Sequence, residues 1–322
     1  MNVVITGASG FIGSRLAREL AHREELTDAE GKRFRIARLI LTDRVLPRTD
    51  GDTRTTAIQG DIAEPGFISK LIDSDTRVVF HLAGIVSGTA ETDFSLGMHV
   101  NLEGSRRLLE ACRAASRRVR LVFASSIAVF GAPLPGAIRD DTHARPALSY
   151  GAQKLACEIL LEDYSRRGFL DGRALRLPGI VVRPPVSNGA LSAFNSDVLR
   201  EPLHGRDYVA PVGPEAVIWV MSVGRCIANL IRASELPADA FAVRRALNLP
   251  CVVASIGEIV TAIGRAAGSD AAARVRYAPD AKLQAQFGAW PRDFVAGRAL
   301  ELGFSADASV DDILRGYLDA SL

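Results

Sequence analysis

Cysteine is scarce in this chain, and neither sign of charge is in excess. The 322 residues include four cysteines, and their wide spacing contains no CxxC pair. We therefore expect neither a bound metal nor a disulfide framework. The formal net charge is +2, so there is no general excess of positive charge for binding nucleic acid, and no nucleic-acid partner is expected.

Long apolar runs are also absent, and no uninterrupted run reaches the length needed to span a bilayer. The chain opens directly into an apolar strand, MNVVITG, without the basic region and following apolar stretch of a signal peptide. We therefore expect no membrane partner and a cytoplasmic location.

Lysine is rare as well, since only four of the 39 basic residues are lysines. Arginine is the ordinary cation of this chain, so a lysine at a chemically specific position carries information. Six arginines cluster around a predicted helix: Arg106, Arg107, Arg113, Arg117, Arg118 and Arg120. We interpret this cluster as a solvated helix face rather than a nucleic-acid site.

Short apolar runs alternate with helical patterns through the first half of the chain. Six runs are predicted to be strands: Val3–Ile5, Ile36–Thr42, Thr56–Gln59, Arg77–His81, Val119–Ala124 and Arg173–Leu177. Long helices are predicted from Asp93 to Ala115 and from Tyr150 to Arg166, and the charged stretch Arg23–Arg35 resembles an inserted surface loop. This alternation predicts an α/β fold of the Rossmann type, in which a doubly wound parallel sheet is covered on both faces.

A glycine-rich loop, TGASGFIG at residues 6–13, follows the first strand and opens the first helix. Glycines permit a tight turn and a close approach of the backbone to a pyrophosphate, while the helix N-terminus supplies free N–H groups and a partial positive charge. In this strand–loop–helix context the pattern predicts a bound dinucleotide. The residues expected to contact it are Gly7, Ser9, Gly10, Phe11, Ile12 and Gly13.

Asp43 ends the second predicted strand. A carboxylate at this position accepts hydrogen bonds from the adenosine ribose and repels a 2′-phosphate, which favours NAD over NADP as the cofactor. The gap between the glycines and Asp43 is longer than usual, so a solvated turn aspartate is the alternative interpretation. Later strand ends supply further expected cofactor contacts, namely Asp61, Ile62, Leu82, Ala83 and Gly84.

Tyr150 and Lys154 lie four residues apart at the start of a predicted helix, so both side chains project from one face. A free tyrosine, with a pKa of about 10, is a poor base at neutral pH, but a neighbouring cation favours its phenolate. Tyr150 is then expected to take the proton of a substrate alcohol while hydride passes to NAD. Ser126, at a strand end, is expected to hydrogen-bond the same oxygen. Together the three residues predict an oxidoreductase that acts on a CH–OH group.

Five segments, in this order, resemble the extended short-chain dehydrogenase/reductase family, to which the NAD-dependent epimerases and dehydratases belong. They are TGASGFIG, HLAG, VNLEGSRRLLEAC, SSIAVFG and YGAQK. The resemblance assigns Ser126, Tyr150 and Lys154 to the catalytic positions of the family. It also assigns Asn101 to the asparagine that steadies the active-site helix, and it implies a homodimer packed through the two long helices.

Further segments, among them AGIVSGTAETDFSLGM and LREPLHG, most resemble the members of this family that act on D-erythronate. This resemblance implies oxidation of a secondary hydroxyl of a small sugar acid, from D-erythronate to 2-dehydro-D-erythronate. Such a substrate needs a cation for its carboxylate and polar groups for its hydroxyls. The candidates are Ser87, Ser126, Tyr150, Arg183, Asn188 and Arg200.

We expect residues 1–177 to form the NAD-binding Rossmann domain with the catalytic residues. After Leu177 proline and glycine become frequent, and residues 178–322 are expected to form mainly a smaller mixed α/β substrate-binding lobe, interwoven with the first domain.

Other functions stay open at this point. A nucleotide-sugar epimerase shares the same three catalytic residues but needs a nucleotide diphosphate pocket, for which no clear set of arginines and aromatic residues is found. A dehydratase usually has an Asp-Glu pair just after the strand-end Thr or Ser, whereas in this chain Ile127 follows Ser126. A non-catalytic dinucleotide sensor would keep the fold, but the intact Tyr150 and Lys154 argue against it.

Overall fold

The computed structural model describes residues 1–28, 30–185, 192–241, 244–287 and 290–320. The strands in these ranges are β1 (Asn2–Thr6), β2 (Glu25–Thr27), β3 (Arg33–Arg35), β4 (Arg38–Asp43), β5 (Thr55–Gln59), β6 (Thr76–His81), β7 (Arg120–Ser126), β8 (Ala137–Ile138), β9 (Asp171–Leu177), β10 (Gly179–Val181), β11 (Tyr208–Ala210), β12 (Val217–Ser222), β13 (Ala246–Asn248), β14 (Val252–Ser255), β15 (Val275–Tyr277) and β16 (Asp293–Phe294). The α-helices are α1 (Phe11–Ala21), α2 (Ser87–Thr92), α3 (Phe94–Gly97), α4 (Ser105–Ala114), α5 (Ser149–Arg166), α6 (Phe194–Leu203), α7 (Val223–Glu235), α8 (Ile256–Ala267), α9 (Ser269–Ala273), α10 (Ala281–Phe287), α11 (Gly297–Glu301) and α12 (Val310–Asp319).

Seven strands form the central sheet, in the order β13-β9-β7-β6-β1-β4-β5. The chain runs outward from β1 through β4 to β5 on one side, and then from β6 through β7 and β9 to β13 on the other. Such a reversal between β1 and β6 creates a crevice at the carboxyl ends of the strands, where open α/β sheets bind ligands. The predicted Rossmann-type parallel sheet is confirmed.

Burial explains why the central strands read as continuous apolar runs. Every residue of β1, β6 and β9 is buried. Because helices cover both faces of a parallel sheet, side chains that point either way meet a core. One core cluster joins Val4, Val79 and Leu121 of the sheet to Leu108 of α4 and Leu161 of α5.

The charged stretch 23–35 forms a short antiparallel hairpin rather than the expected surface loop. β2 pairs with β3, and Leu26 lies opposite Phe34 with both side chains buried. The Asp28 carboxylate closes the turn by accepting hydrogen bonds from the N–H groups of Glu30 and Lys32. A single apolar residue in each three-residue strand is too short a pattern to distinguish a strand from a polar loop.

The long helix predicted from Asp93 to Ala115 is interrupted. A π-helical segment, Met98–Gly104, separates α3 from α4. Segments of this kind are rare and are frequently found at functional sites. This one carries Asn101, so its irregular geometry sets the position of that side chain.

One member of the predicted solvated arginine cluster is fully buried. Arg106 and Arg113 lie on α4 and pair with glutamates one turn away, as expected for an exposed helix face. Arg120 instead begins β7, where its guanidinium binds the Asp171 carboxylate at 3.0 Å, and Arg173 binds the same carboxylate at 2.7 Å. Burial alone would raise the pKa of Asp171, but the two arginines outweigh burial and hold that pKa below its ordinary value. Arg120 is buried because the helix has ended and the sheet has begun.

The chain divides into two compact units. The first unit is Met1–Val129, Pro146–Arg176 and Ile227–Asn248, and the second unit is Phe130–Arg145, Leu177–Cys226 and Leu249–Leu322. The first contains the central sheet. In the second, the three-stranded sheet β10-β12-β14 packs with α6, α8 and α12 around a core that includes Val198, Ile218 and Ile259. None of the described helices has both the length and the apolar character needed to cross a membrane.

Candidate active site

The loop after β1 passes close to the loop after β6. Gly7 adopts a left-handed conformation, with a φ angle of +73°. A Cβ atom added to Gly7 would lie only 2.5 Å from the backbone nitrogen of Ala83. Glycine is therefore required here for its conformation and for its size. Backbone packing thus holds together two strand ends at which cofactor contacts are predicted.

The N-terminus of α1 fits an anion. Gly10 precedes the helix without a side-chain cap, and the first turn carries no acidic residue. A Cβ atom on Gly13 would overlap the carbonyl oxygen of Gly7, so the loop is wound tightly against the helix. The first N–H groups of a helix lack partners within it, and they bind phosphate where the backbone can be approached closely. The half-buried Phe11 and Ile12 lie in this first turn. The loop and helix start therefore fit a dinucleotide pyrophosphate.

Asp43 lies at the end of β4, beside the glycine loop. One carboxylate oxygen accepts a hydrogen bond from the Ser9 N–H at 2.9 Å, and the other accepts one from the Arg44 N–H at 2.7 Å. Each oxygen keeps a second lone pair for another donor. This arrangement fits the two hydroxyls of a ribose and would place a 2′-phosphate beside a negative charge.

The two predicted contacts after β5 differ in exposure. The Asp61 carboxylate lies 3.7 Å from the Arg44 guanidinium and accepts a hydrogen bond from the Ala63 N–H at 2.9 Å. Ile62 is buried in the core of the first unit, and its side chain packs against Gly104. Only the backbone of Ile62 is therefore suited to a cofactor contact.

Asn101 connects the loop after β6 to α5. Its Oδ1 accepts a hydrogen bond from the Ile85 N–H at 2.7 Å, and its Nδ2 donates to the Ile85 carbonyl at 3.1 Å and to Gln153 Oε1 at 2.7 Å. A Cβ atom added to Gly84 would lie 3.0 Å from Asn101 Oδ1 and 3.4 Å from Lys154 Nζ. Asn101 therefore holds the predicted cofactor loop, which contains Leu82–Gly84, against the helix with the catalytic candidates.

Lys154 is buried, with 4% exposure. Its Nζ donates to the Ala124 carbonyl of β7 at 2.9 Å. The same atom lies 4.7 Å from the centre of the Phe123 ring and 5.6 Å from the centre of the Tyr150 ring. The ammonium thus joins α5 to β7, and β7 ends at Ser126.

Gly151 allows α5 to begin directly against the turn that follows β7. A Cβ atom on Gly151 would overlap the carbonyl oxygen of Ala128 in that turn. Within the same turn, Ser126 Oγ accepts a hydrogen bond from the Ala128 N–H at 3.1 Å. Ser126 and Tyr150 are both partly exposed. The structure therefore brings the segments of the three predicted catalytic residues together.

The residues predicted to bind substrate are distributed over both units. Ser87 begins α2 in the first unit, whereas Arg183 and Arg200 belong to the second. Arg200 is nearly buried, pairs with two carboxylates of α6 and donates to the Arg183 carbonyl at 2.6 Å. Its charge is therefore compensated within the second unit. Asn188 lies outside the described residues.

His81 is a buried site residue to which the sequence reasoning assigns no role. At the end of β6, its Nδ1 lies 2.7 Å from Thr6 Oγ1 and its Nε2 lies 2.9 Å from Ser105 Oγ. Because Ser105 donates its proton to the Asn101 carbonyl at 2.6 Å, His81 must donate from Nε2 and accept at Nδ1. Burial, and secondarily the charge of Lys154, lower the pKa of His81 to about 3, so the ring is neutral. Its place in the strand-end segment HLAG is the signal that could have found it.

Glu158 is a second buried group that the sequence reasoning misses. It lies one turn after Lys154 on α5 and accepts a hydrogen bond from the Ser125 hydroxyl of β7. Its carboxylate also binds Arg176 of β9 through two nitrogens, at 3.0 Å and 2.8 Å. Removing one partner of such a pair leaves an uncompensated buried charge. Glu158 therefore fixes α5 against two strands. The sequence feature that could have identified Glu158 is a charged residue on the buried face of this helix.

Residues 3–211 match the NAD dependent epimerase/dehydratase family, and the chain belongs to that family. Among curated proteins, the D-erythronate dehydrogenase of Cupriavidus necator is 46% identical over 319 residues, which cover 99% of this chain and 98% of the relative. The D-erythronate dehydrogenase of Haemophilus influenzae is 36% identical over 320 residues, which cover 99% of both chains. A solved structure described as the nucleoside-diphosphate-sugar epimerase from Agrobacterium tumefaciens has a TM-score of 0.90 and 38% identity, covering 99% of this chain and 94% of that one.

These comparisons make the chain an NAD-dependent oxidoreductase. The predictions of NAD as cofactor and of an extended short-chain dehydrogenase/reductase are confirmed. The glycine loop, the uncapped start of α1 and the Asp43 carboxylate are the described features that fit this dinucleotide.

Acid should destabilise the fold through His81. Its pKa is about 3 in the folded protein, against about 6.5 for an unfolded histidine. Above pH 6.5 neither state binds the proton, so the contribution of His81 is constant there. Between about pH 6.5 and pH 3 only the unfolded state binds it, so this group lowers the free energy of unfolding by about 1.4 kcal/mol for each pH unit of acidification.

Chemical denaturation of the wild type and of His81→Gln at several pH values below 6.5 measures this contribution. The variant should be less stable at pH 7 and should lose stability less steeply on acidification. Equal slopes in the two proteins would contradict the assignment.

Proposed function

We propose that this protein oxidises a secondary hydroxyl of a small sugar acid, converting D-erythronate to 2-dehydro-D-erythronate with NAD. The observation that supports this most directly is the 46% identity to a D-erythronate dehydrogenase over 99% of the chain. Identity over this length includes the second unit, which the catalytic motifs do not reach.

Tyr150 acts as the general base in this proposal. The hydroxyl proton of the substrate passes to the phenolate oxygen of Tyr150, the hydrogen on the same carbon leaves as hydride, and a C=O bond forms. NAD, when bound, accepts the hydride. The Lys154 ammonium lies 5.6 Å from the centre of the tyrosine ring, so the positive charge stands beside the proposed base. Ser126 already accepts one hydrogen bond from the backbone, so its hydroxyl proton is available to hold the reacting oxygen beside Tyr150.

The cofactor residues divide by chemistry. We assign the pyrophosphate to the backbone of the glycine loop, the adenosine ribose to Asp43, and the adenine to Asp61 and the backbone of Ile62. Small residues after β6 let the chain pass close to the cofactor. The nicotinamide ribose is assigned to Tyr150 and Lys154, and Asn101 supports the loop beside them.

The second unit supplies the substrate lobe in this proposal. Arg200 is nearly buried and binds the Arg183 carbonyl at 2.6 Å, so we assign it to shaping the segment around Arg183. Arg183 is the stronger candidate for the substrate carboxylate. Ser87 and Asn188 stay predictions as partners of the hydroxyls.

Absorbance of NADH tests the substrate directly. Purified protein with NAD and D-erythronate should form NADH, and other four- to six-carbon sugar acids should react more slowly. UDP-sugars serve as controls, because an epimerase of the same fold would convert them without net NADH. Epimerisation of a UDP-sugar, with no NADH from any sugar acid, would establish the alternative function.

Replacing Tyr150 with Phe should remove the base and keep the ring. We expect kcat to fall by at least about 100-fold. The NADH dissociation constant, measured by fluorescence titration, should rise by no more than about tenfold, because at most one hydrogen bond to the ribose is lost. Tyr164→Phe is the matched control, since Tyr164 lies on the same helix and its hydroxyl binds Glu110 instead. If Tyr150→Phe turns over the substrate about as fast as Tyr164→Phe does, Tyr150 is not the general base.

We also propose a homodimer formed through the two long helical segments, of which one runs from α3 through the π-helical segment to α4 and the other is α5. Two large apolar side chains near these helices are exposed, Phe94 by 59% and Ile159 by 62%. A cavity of about 380 Å³ lies on the same helices, lined by Met98, His99, Leu102, Glu103, Arg106 and Leu160. Exposed apolar side chains beside a cavity are typical of an interface, and the family resemblance implies the same two helices.

Light scattering after size exclusion tests the dimer. The wild type should have about twice the chain mass of 34.5 kDa, and Ile159→Glu should shift it toward the monomer, because a charge cannot be buried in an apolar interface without a large cost. Val209→Glu, which changes an exposed apolar residue of β11, should stay dimeric. A monomeric wild type would refute the proposal.

The cytoplasmic location stays a prediction. The four cysteines are free thiols, which agrees with a reducing compartment.

A further inference from the structure

Gln153 precedes Lys154 on α5 and is buried, with 3% exposure. The two neighbours contact different elements. Lys154 Nζ donates to the Ala124 carbonyl of β7, whereas Gln153 Oε1 accepts a hydrogen bond from Asn101 Nδ2 in the π-helical segment at 2.7 Å. One turn of α5 is therefore tied both to the sheet and to that segment.

Gln153 helps to decide which way the Asn101 amide faces. Asn101 Nδ2 has two protons, which go to the Ile85 carbonyl and to Gln153 Oε1, while Asn101 Oδ1 accepts the Ile85 N–H. In the opposite orientation the amide nitrogen would face the Ile85 N–H, and two donors would meet. The acceptor on Gln153 thus favours the orientation in which Asn101 binds both backbone groups of Ile85.

The side chain of Gln153 sits in a closely fitting space. A Cβ atom added to Gly97 would lie 2.7 Å from Gln153 Nε2 and 3.1 Å from Ala90 Cβ. Within the part of the chain that the structure describes, Nε2 has no hydrogen-bond partner. Gln153 therefore forms its hydrogen bond through the side-chain oxygen, whereas the side-chain nitrogen is held by close packing.

We propose that Gln153 is a positioning residue for hydride transfer, which orients Asn101 and thereby holds residues 82–85 beside Lys154. The close approach of Gly84 to both Asn101 Oδ1 and Lys154 Nζ shows that these groups meet at one point. A shift of this loop would change the cofactor contacts and the surroundings of the ammonium together. The proposal rests on the proposed function, because it takes residues 82–85 to border the bound cofactor.

Two substitutions of Gln153 distinguish the contribution of its acceptor oxygen from the contribution of its side-chain size. Gln153→Met keeps the size and removes the acceptor, whereas Gln153→Glu keeps an oxygen that can accept from Asn101. We expect Gln153→Met to raise the NADH dissociation constant about tenfold, which corresponds to about 1.4 kcal/mol, and to lower kcat. Gln153→Glu should recover most of the NADH affinity. NADH fluorescence titration measures the affinity without substrate, so it tests the proposal even if D-erythronate is not the substrate.

Hydrogen exchange tests the route through Asn101. The peptide that contains the Ile85 amide should exchange faster in Gln153→Met than in the wild type. The double variant Gln153→Met with Asn101→Ala should bind NADH no more weakly than Asn101→Ala alone, because the two residues act in one chain of contacts.

Gln284→Met is the matched control, since Gln284 also accepts one hydrogen bond, from the Gly213 N–H, but lies on α10 in the second unit. It should leave NADH affinity unchanged. If Gln153→Met does not fold, Gln153→Asn, which is one methylene shorter and cannot reach Asn101 in the same way, takes its place. Wild-type NADH affinity in the variant without the acceptor, or effects that add in the double variant, would overturn the proposal.

Discussion

The buried ammonium of Lys154 is the constraint on which the site depends. Burying a cation is unfavourable unless nearby groups compensate for the lost water. The Lys154 ammonium contacts the Ala124 carbonyl and the faces of the Phe123 and Tyr150 rings. Dipoles and ring faces compensate a charge less fully than a carboxylate does, so a negative group beside the ammonium is favoured. In our proposal the phenol oxygen of Tyr150 is the reacting group beside this charge. The same charge contributes, after burial, to keeping His81 neutral.

The position of the ammonium depends in turn on how firmly α5 is held. Three kinds of interaction hold it: steric fit at Gly151, the buried pair of Glu158 with Arg176, and the amide contact between Asn101 and Gln153. They lie along one helix and reach a turn, strand β9 and the π-helical segment. Because the contacts differ in chemistry, no single change of pH or salt weakens all of them.

The similar proteins carry names of both dehydrogenases and an epimerase. In our proposal the first unit takes hydride and a proton from a CH–OH group, a step that could serve either class. The classes differ in which substrate is held and in whether hydride returns to it. In our proposal the second unit, with Arg183, makes that distinction.

The sequence by itself determined the sheet, the glycine loop, Asp43 and the pairing of Tyr150 with Lys154. These features depend on local periodicity or on spacings of a few residues, and both are visible in the sequence. The sequence did not reveal the hairpin at residues 25–35, because each of its strands has only one apolar residue. It also did not reveal the burial of Arg120, because a cluster of basic residues does not show where a helix ends and a strand begins.

Only the tertiary structure decided the surroundings of the proposed catalytic residues. His81 meets Thr6 across 75 positions of sequence, and Asn101 meets Gln153 across 52. Such contacts depend on the order in which parallel strands assemble and on the depth at which each side chain is buried. A neutral histidine and an oriented amide exist only where burial removes water and leaves the polar atoms a few fixed partners, and no short stretch of sequence specifies that.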